Sequence, residues 1–147
     1  MSLKIWLSNG WLKEHQPNSQ EITELLAVAD RDLSDSRTPG LSPDWQLNIA
    51  YNAALQIATA ALAASGYRAV REAHHYRTIK SLSYTIKADK ELITLFDQFR
   101  KKRNISGYDR SGMISKQEAN EMLKLAIHLR QKIAEWLREN HPTLMKE

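Results

Sequence analysis

Four cations stand side by side in the second half of the chain, in the run Arg100-Lys101-Lys102-Arg103. Asn104 follows directly, and Tyr108 and Asp109 come a few residues later. Arginine binds phosphate through a planar fork of N–H donors, and lysine binds it as a point charge. One or two cations already complement a helix dipole, and four adjacent cations repel one another. The run therefore indicates contact with a phosphate, a nucleotide or RNA, and a solvated helix end is the alternative interpretation.

The charge of the chain is unevenly distributed, which favours the same kind of partner. Residues 1–65 carry four Lys and Arg against seven Asp and Glu, a net charge of −3. Residues 66–147 carry 17 against 10, a net charge of +7. This asymmetry fits an anionic ligand for the second half, and it equally fits docking of that half on the acidic half of another copy.

Length and composition restrict the class of protein. The 147 residues suit a single domain with a sizeable core. The chain has no cysteine, which excludes disulfide bonds and Cys-ligated zinc. No apolar run approaches the roughly 20 residues of a membrane span, and no signal peptide is visible. We therefore expect a cytoplasmic protein that does not associate with a membrane.

Hydrophobic periodicity and capping signals predict an all-α fold. Asn18 with Glu21, Ser42 before Pro43, and Ser115 with Glu118 mark helix starts. No run of alternating β-branched residues is present, so no sheet is expected. Short links favour an antiparallel up-down bundle, with residues 1–17 as a short N-terminal helical extension and residues 18–140 as the core. The predicted helices cover about residues 19–36, 43–65, 68–87, 89–102 and 116–139.

The predicted bundle brings two basic segments to one end. In an up-down order, the helix over residues 68–87 begins at the pole where the helix over residues 89–102 ends. Adjacent histidines diverge by about 100° on a helix, so His74 and His75 do not easily share one ion, and no metal or cofactor is assigned. The residues predicted to bind phosphate or RNA are Arg68, Arg71, His74, His75, Arg100 and Lys101.

Several short segments together carry a resemblance to a known family. They are Gly10-Trp11-Leu12, Ala50-Tyr51-Asn52-Ala53-Ala54-Leu55, Ser65-Gly66-Tyr67-Arg68, His74-His75, and Arg103-Asn104 followed by Tyr108-Asp109. In this order the chain resembles the HEPN domains, which are helical bundles of prokaryotes and higher eukaryotes. The resemblance covers most of the chain and is closest to a bacterial branch. It implies a helical bundle that forms a homodimer.

The resemblance also implies a function. Many HEPN proteins are metal-independent ribonucleases whose motif is an Arg, commonly a polar residue, and then a His after four to six residues. Many act as toxins paired with a nucleotidyltransferase antitoxin, or belong to defence systems. Arg103 matches the motif Arg and Asn104 the polar residue, but Tyr108 occupies the place of the His. The catalytic residues implied are Arg103, Asn104 and Tyr108.

The substitution of Tyr108 for His leaves three hypotheses open. Metal-free RNA cleavage needs a base and an acid, a task that suits His because its pKa is near neutrality, whereas the pKa of Tyr is near 10. The first hypothesis, which we favour, is binding of RNA or nucleotide phosphate without cleavage. The second is a ribonuclease in which Tyr108 or the pair His74 and His75 replaces the motif His. The third is a non-catalytic structural or antitoxin-like partner protein, in which Arg103 pairs with Asp109.

Overall fold

The computed structural model describes residues 1–108 and 113–145, and it describes the backbone alone for residues 104–108. The prediction of a mostly helical fold is confirmed for these residues. The elements in chain order are α1 (Leu3–Ser8), β1 (Leu12–Glu14), α2 (Ser19–Asp35), α3 (Pro43–Ala64), β2 (Tyr67–Ala69), α4 (His74–Lys80), a 3₁₀ turn (Ser81–Ser83), α5 (Lys90–Tyr108), α6 (Lys116–Asn140) and a second 3₁₀ turn (Pro142–Met145).

Helix α3 is the centre of the molecule. It packs most extensively against α6 and α2, and it also contacts α4, α5 and β2. Its many alanines are buried, which lets neighbouring helices approach closely. Among the described residues it is the one helix long and apolar enough to cross a membrane. However, 72% of its most apolar 18-residue stretch is buried inside the protein. Its apolar character is therefore that of a core helix.

Side-chain caps fix the starts of α2, α3 and α6 where the sequence places them. The Ser42 hydroxyl accepts from the Trp45 N–H at the start of α3, and Ser115 and Glu118 form a reciprocal capping box at the start of α6. At α2, Asn18 and Glu21 form only half of such a box. Asn18 accepts from the Glu21 N–H at 2.8 Å, but the Glu21 carboxylate accepts from His15 Nε2 instead.

The expectation of no sheet is wrong. Strands β1 and β2 pair antiparallel, with Leu12 opposite Ala69, Lys13 opposite Arg68 and Glu14 opposite Tyr67. We call this pair the ribbon. Two further bonds extend it, since the His15 N–H donates to the Gly66 carbonyl and the Val70 N–H donates to the Trp11 carbonyl. The ribbon ties the N-terminal segment to the end of α3.

The predicted helix over residues 68–87 is much shorter in the structure. Gly66 ends α3 with a φ of +95°, a left-handed value that favours glycine. The chain then pairs with β1 instead of starting a helix, so α4 begins only at His74. Non-local pairing here overrides the local helical pattern.

Helix α5 is longer than predicted and continues to Tyr108. The four cations therefore lie inside a helix and not on its last turn. Asn104 and Tyr108 have helical backbone rather than a turn conformation, and their side chains lie outside what the structure describes. Asp109, and with it the hypothesised pair with Arg103, also lies outside the described residues.

Candidate phosphate-binding site

Three helices meet at the side chain of Tyr51, in the middle of α3. Tyr51 is completely buried, and its hydroxyl oxygen lies 3.2 Å from Nδ1 of His75 in the first turn of α4. Its ring also packs edge-on against Phe96 of α5, with 5.7 Å between ring centroids. A buried tyrosine hydroxyl needs a polar partner, and His75 supplies it. This contact fixes the start of α4 relative to α3.

Two arginines of α5 rest on aromatic rings of the same region. The guanidinium carbon of Arg103 lies 5.0 Å from the centroid of the Tyr51 ring, and that of Arg100 lies 5.4 Å from the centroid of the Tyr76 ring. Cations within about 6 Å of a ring face gain from its quadrupole. The rings therefore orient both guanidinium groups beside His75.

An open pocket lies where α4 faces α5, and we call it the arginine pocket. It is lined by Arg71, Ala73, His74, His75, Tyr76 and Arg100. Four of these six residues belong to the set predicted to bind phosphate. The pocket thus combines two guanidinium groups with two imidazoles, all of which can donate hydrogen bonds to an anion.

The pKa values of His75 and of its partner Tyr51 are both shifted toward the neutral forms. Burial lowers the pKa of His75, and the charges of Arg103, His74 and Arg100 lower it further. Burial raises the pKa of Tyr51 to about 12, although Arg103 and Arg100 oppose the rise. At pH 7 His75 is therefore a neutral imidazole and Tyr51 a neutral phenol. In the tautomer whose Nδ1–H donates to Tyr51, Nε2 carries the lone pair of a base.

Carboxylates partly neutralise the basic run. Arg100 Nε donates to Asp97 Oδ1 at 2.7 Å, and Lys101 Nζ lies 3.7 Å from the other oxygen of the buried Asp97 carboxylate. Lys102 forms an ion pair with Glu118 of α6. Arg100 and Lys101 thus share one carboxylate. The local charge stays positive, although by less than the sequence alone implies.

The structure groups some of the predicted residues and separates others. Arg71, His74, His75 and Arg100 come together in the arginine pocket, and Arg103 acts on His75 through its charge. Arg68 is exposed on β2 and lines a neighbouring pocket. Lys101 is exposed on α5 and pairs with Asp97.

Sequence reasoning did not assign Tyr51 to this site, although Tyr51 connects its parts. The signal was present, because a lone tyrosine in an alanine-rich buried helix must find a partner for its hydroxyl. Nothing in the local sequence pointed to the position of that partner on α4.

No group of three His, Cys, Asp or Glu side chains in residues 1–108 and 113–145 is arranged to hold a metal ion. Comparisons of the chain with protein-family models, curated proteins and solved structures give no significant match.

Proposed function

We propose that this protein is a HEPN-like helical protein that binds RNA or a nucleotide through phosphate at the arginine pocket. The observation that carries the proposal is the grouping of Arg71 and Arg100 with two histidines in one open pocket. A phosphate accepts charge-assisted hydrogen bonds from guanidinium groups, and these are roughly twice as strong as neutral ones. The chain's positive second half provides the wider field that attracts such a ligand.

The contacts around Arg100 support binding because they hold the side chain in place. Asp97 accepts from Nε, and the Tyr76 ring lies under the guanidinium carbon. The terminal N–H groups of the fork are the ones a phosphate oxygen accepts from. A guanidinium that is already oriented loses less side-chain entropy on binding than a mobile one.

The biological setting is also part of the proposal, and the resemblance alone supports it. A HEPN-like protein of this type is a cytoplasmic homodimer within a toxin–antitoxin or defence system, with a nucleotidyltransferase as partner protein. The homodimer is testable by the mass of the protein in solution. A monomer at all concentrations contradicts that part and leaves phosphate binding to be judged separately.

A second candidate function, a metal-independent endoribonuclease, is favoured by the neutral state of His75 beside two arginines. In this reaction His75 Nε2 takes the proton of the ribose 2′-OH, and the 2′-oxygen attacks the adjacent phosphorus. The 5′-oxygen leaves with a proton from an acid, for which His74 or Tyr108 is the candidate, and a 2′,3′-cyclic phosphate remains. Arg100 and Arg103 stabilise the charge that develops on the phosphoryl oxygens.

The third candidate is a structural or antitoxin-like partner protein. The pairing of Arg100 and Lys101 with Asp97, and of Lys102 with Glu118, favours it. If the pairs with Asp97 only stabilise α5, and the pair with Glu118 only fastens it to α6, substitutions at them change stability and leave RNA binding untouched.

One experiment separates the three candidates. Purified protein is incubated with labelled single-stranded RNA in the presence of a chelator, and binding and cleavage are scored together. Arg100→Gln and Arg103→Gln are compared with Arg138→Gln, an exposed arginine on α6 that lines neither the arginine pocket nor the pocket beside it.

Binding that both α5 variants lose and Arg138→Gln keeps supports the first function. Cleavage that is lost in the same variants, and also in His75→Gln, identifies the ribonuclease. If wild-type protein neither binds nor cuts RNA, the phosphate-binding proposal is wrong and the third candidate stands.

A further inference from the structure

A second pocket adjoins the arginine pocket, between the ribbon, α3 and α4, and we call it the ribbon pocket. Its volume is about 480 Å³, which is within the range of small-molecule sites. Arg71 and His74 line both pockets, so the two lie side by side at these side chains. A ligand that contacts Arg71 and His74 can therefore reach residues of either pocket.

The ribbon places two cations directly opposite each other at this pocket. Lys13 on β1 pairs with Arg68 on β2, and both line the ribbon pocket. Like charges at opposed positions of an antiparallel pair destabilise it. Within residues 1–108 and 113–145 no carboxylate lies within ion-pair distance of either side chain. An anionic ligand at this position removes the repulsion.

The other residues that line the ribbon pocket include apolar side chains and rings, which a simple anion site does not need. Leu62, Ala63, Ala69 and Val70 give it an apolar floor, and Tyr67 and His74 contribute partly exposed rings. Nucleobases stack on such rings.

Polar atoms lie on another part of the lining. The Glu21 carboxylate is held by His15 Nε2 at 2.8 Å and can accept from base amino or imino groups. The Thr59 hydroxyl, which donates to the Leu55 carbonyl at 2.8 Å, lies on the α3 side. Apolar floor, aromatic rings, polar groups and a cationic rim together match a nucleoside with its phosphate.

We propose that the ribbon pocket holds the nucleoside next to the phosphate bound in the arginine pocket. The ligand is then single-stranded RNA, because a base in a duplex is stacked and paired and does not present its face to a pocket. This inference rests on the proposed function and adds the ligand class to it. Arg71 and His74, which both pockets share, lie along the backbone that joins the two nucleotides.

The test uses the full chain and a fluorescently labelled single-stranded oligoribonucleotide, with binding followed by anisotropy. Thr59→Phe fills the ribbon pocket, and Thr94→Phe makes the same change at an exposed position of α5 that lines neither pocket. We expect Thr59→Phe to weaken binding about tenfold, a loss in the range of one base–aromatic contact. Thr94→Phe keeps wild-type affinity.

A second variant keeps the inference open to refutation if Thr59→Phe does not fold. Lys13→Gln changes an exposed side chain of the ribbon, so it should fold, and we expect it to weaken binding severalfold and to reduce the salt dependence of binding. The same oligoribonucleotide annealed to its complement should bind more weakly than the single strand.

The variants distinguish a failure of this inference from a failure of the proposed function. If Arg100→Gln loses RNA affinity while Thr59→Phe and Lys13→Gln keep it, the ribbon pocket is not used and the arginine pocket still is. Equal affinity for single strand and duplex also overturns the inference. If Arg100→Gln keeps full affinity as well, the proposed function itself fails.

Discussion

Two neighbouring residues of α3 make buried polar contacts that have different surroundings. Asn52 Nδ2 donates to Asp32 Oδ2 of α2 at 2.6 Å, and Tyr51 makes the 3.2 Å contact with His75 of α4. The Asp32 carboxylate also forms an ion pair with Arg31 of its own helix at 3.2 Å, so its negative charge is neutralised within that helix. His75 instead lines an open pocket and has arginines around it.

The comparison shows how a structural contact differs from a candidate site on the same helix. Both contacts satisfy buried polar groups, and a hydrogen bond alone therefore says nothing about function. What distinguishes the Tyr51 side is the excess of positive charge beside an opening to solvent. Substitutions at Asn52 should therefore change stability alone, and substitutions around Tyr51 should also change ligand binding.

The largest effect on stability is expected from Asn52→Leu. The change removes the amide donor from the buried Asp32 carboxylate and leaves exposed Arg31 as its partner. We expect a loss of about 2–3 kcal/mol in the free energy of unfolding, measured by urea denaturation, and unchanged RNA affinity while the protein is folded. Asn48→Leu, the same change one turn earlier in α3, is the control. Equal losses in the two variants would mean that the contact with Asp32 adds nothing.

The largest effect on ligand binding is expected from Arg100→Gln. Its guanidinium supplies donors in the arginine pocket, so RNA affinity should fall about tenfold, as for the loss of one charge-assisted contact. The readout is anisotropy with labelled RNA, and Arg138→Gln is the matched control. Lys101→Gln should have a smaller effect, because that exposed side chain faces Asp97 and does not line the pocket. Equal losses in the Arg100 and Lys101 variants would place binding on the outer surface of α5.

Tyr51→Phe tests the connection on the other side of α3. It removes one neutral hydrogen bond and keeps the ring, so the expected loss is about 1 kcal/mol of unfolding free energy, less than for Asn52→Leu. Thermal or urea unfolding measures it. The reverse order of the two losses would mean that the contact to His75 is the stronger structural one.

The smallest expected effect is on the pH dependence of stability. The pKa of His75 is lowered in the folded protein, so below pH about 6.5 the unfolded chain binds more protons at this residue than the folded one. Stability therefore falls as the pH drops through about 6.5, and His75→Gln should flatten this fall. Burial lowers the pKa of His141 with the same sign, so His141→Gln should flatten it too. His128→Gln, at an exposed position of α6, is the control, and an unchanged pH profile in His75→Gln contradicts the assignment.

The sequence predicted the helices whose ends are set locally. Asn18, Ser42 and Ser115 cap α2, α3 and α6 through side chains within three residues, and such signals can be read directly. The ribbon could not be read in this way, because residues 12–14 and 67–69 pair across most of the first half of the chain. That pairing also makes α4 shorter than predicted, and no local sequence pattern indicates this shortening.

The sequence predicted the candidate site only in part, because residue types can be read locally and tertiary contacts cannot. Arg71, His74, His75 and Arg100 stood out by residue type, and the structure places them in one pocket. Their number suggested a strongly positive surface, but Asp97 and Glu118 lie close enough to neutralise part of it. Spacing along the sequence does not reveal which carboxylates a folded chain brings to its cations.

The most direct test of the central claim is the salt dependence of RNA affinity. Each phosphate contact to single-stranded nucleic acid adds about 0.7 to the slope of log affinity against log salt, measurable between about 50 and 200 mM. We predict a steep slope for wild-type protein and a slope smaller by about 0.7 for Arg100→Gln, with Arg138→Gln unchanged. Wild-type affinity that ignores salt, or an unchanged slope in Arg100→Gln, would contradict phosphate binding at the arginine pocket.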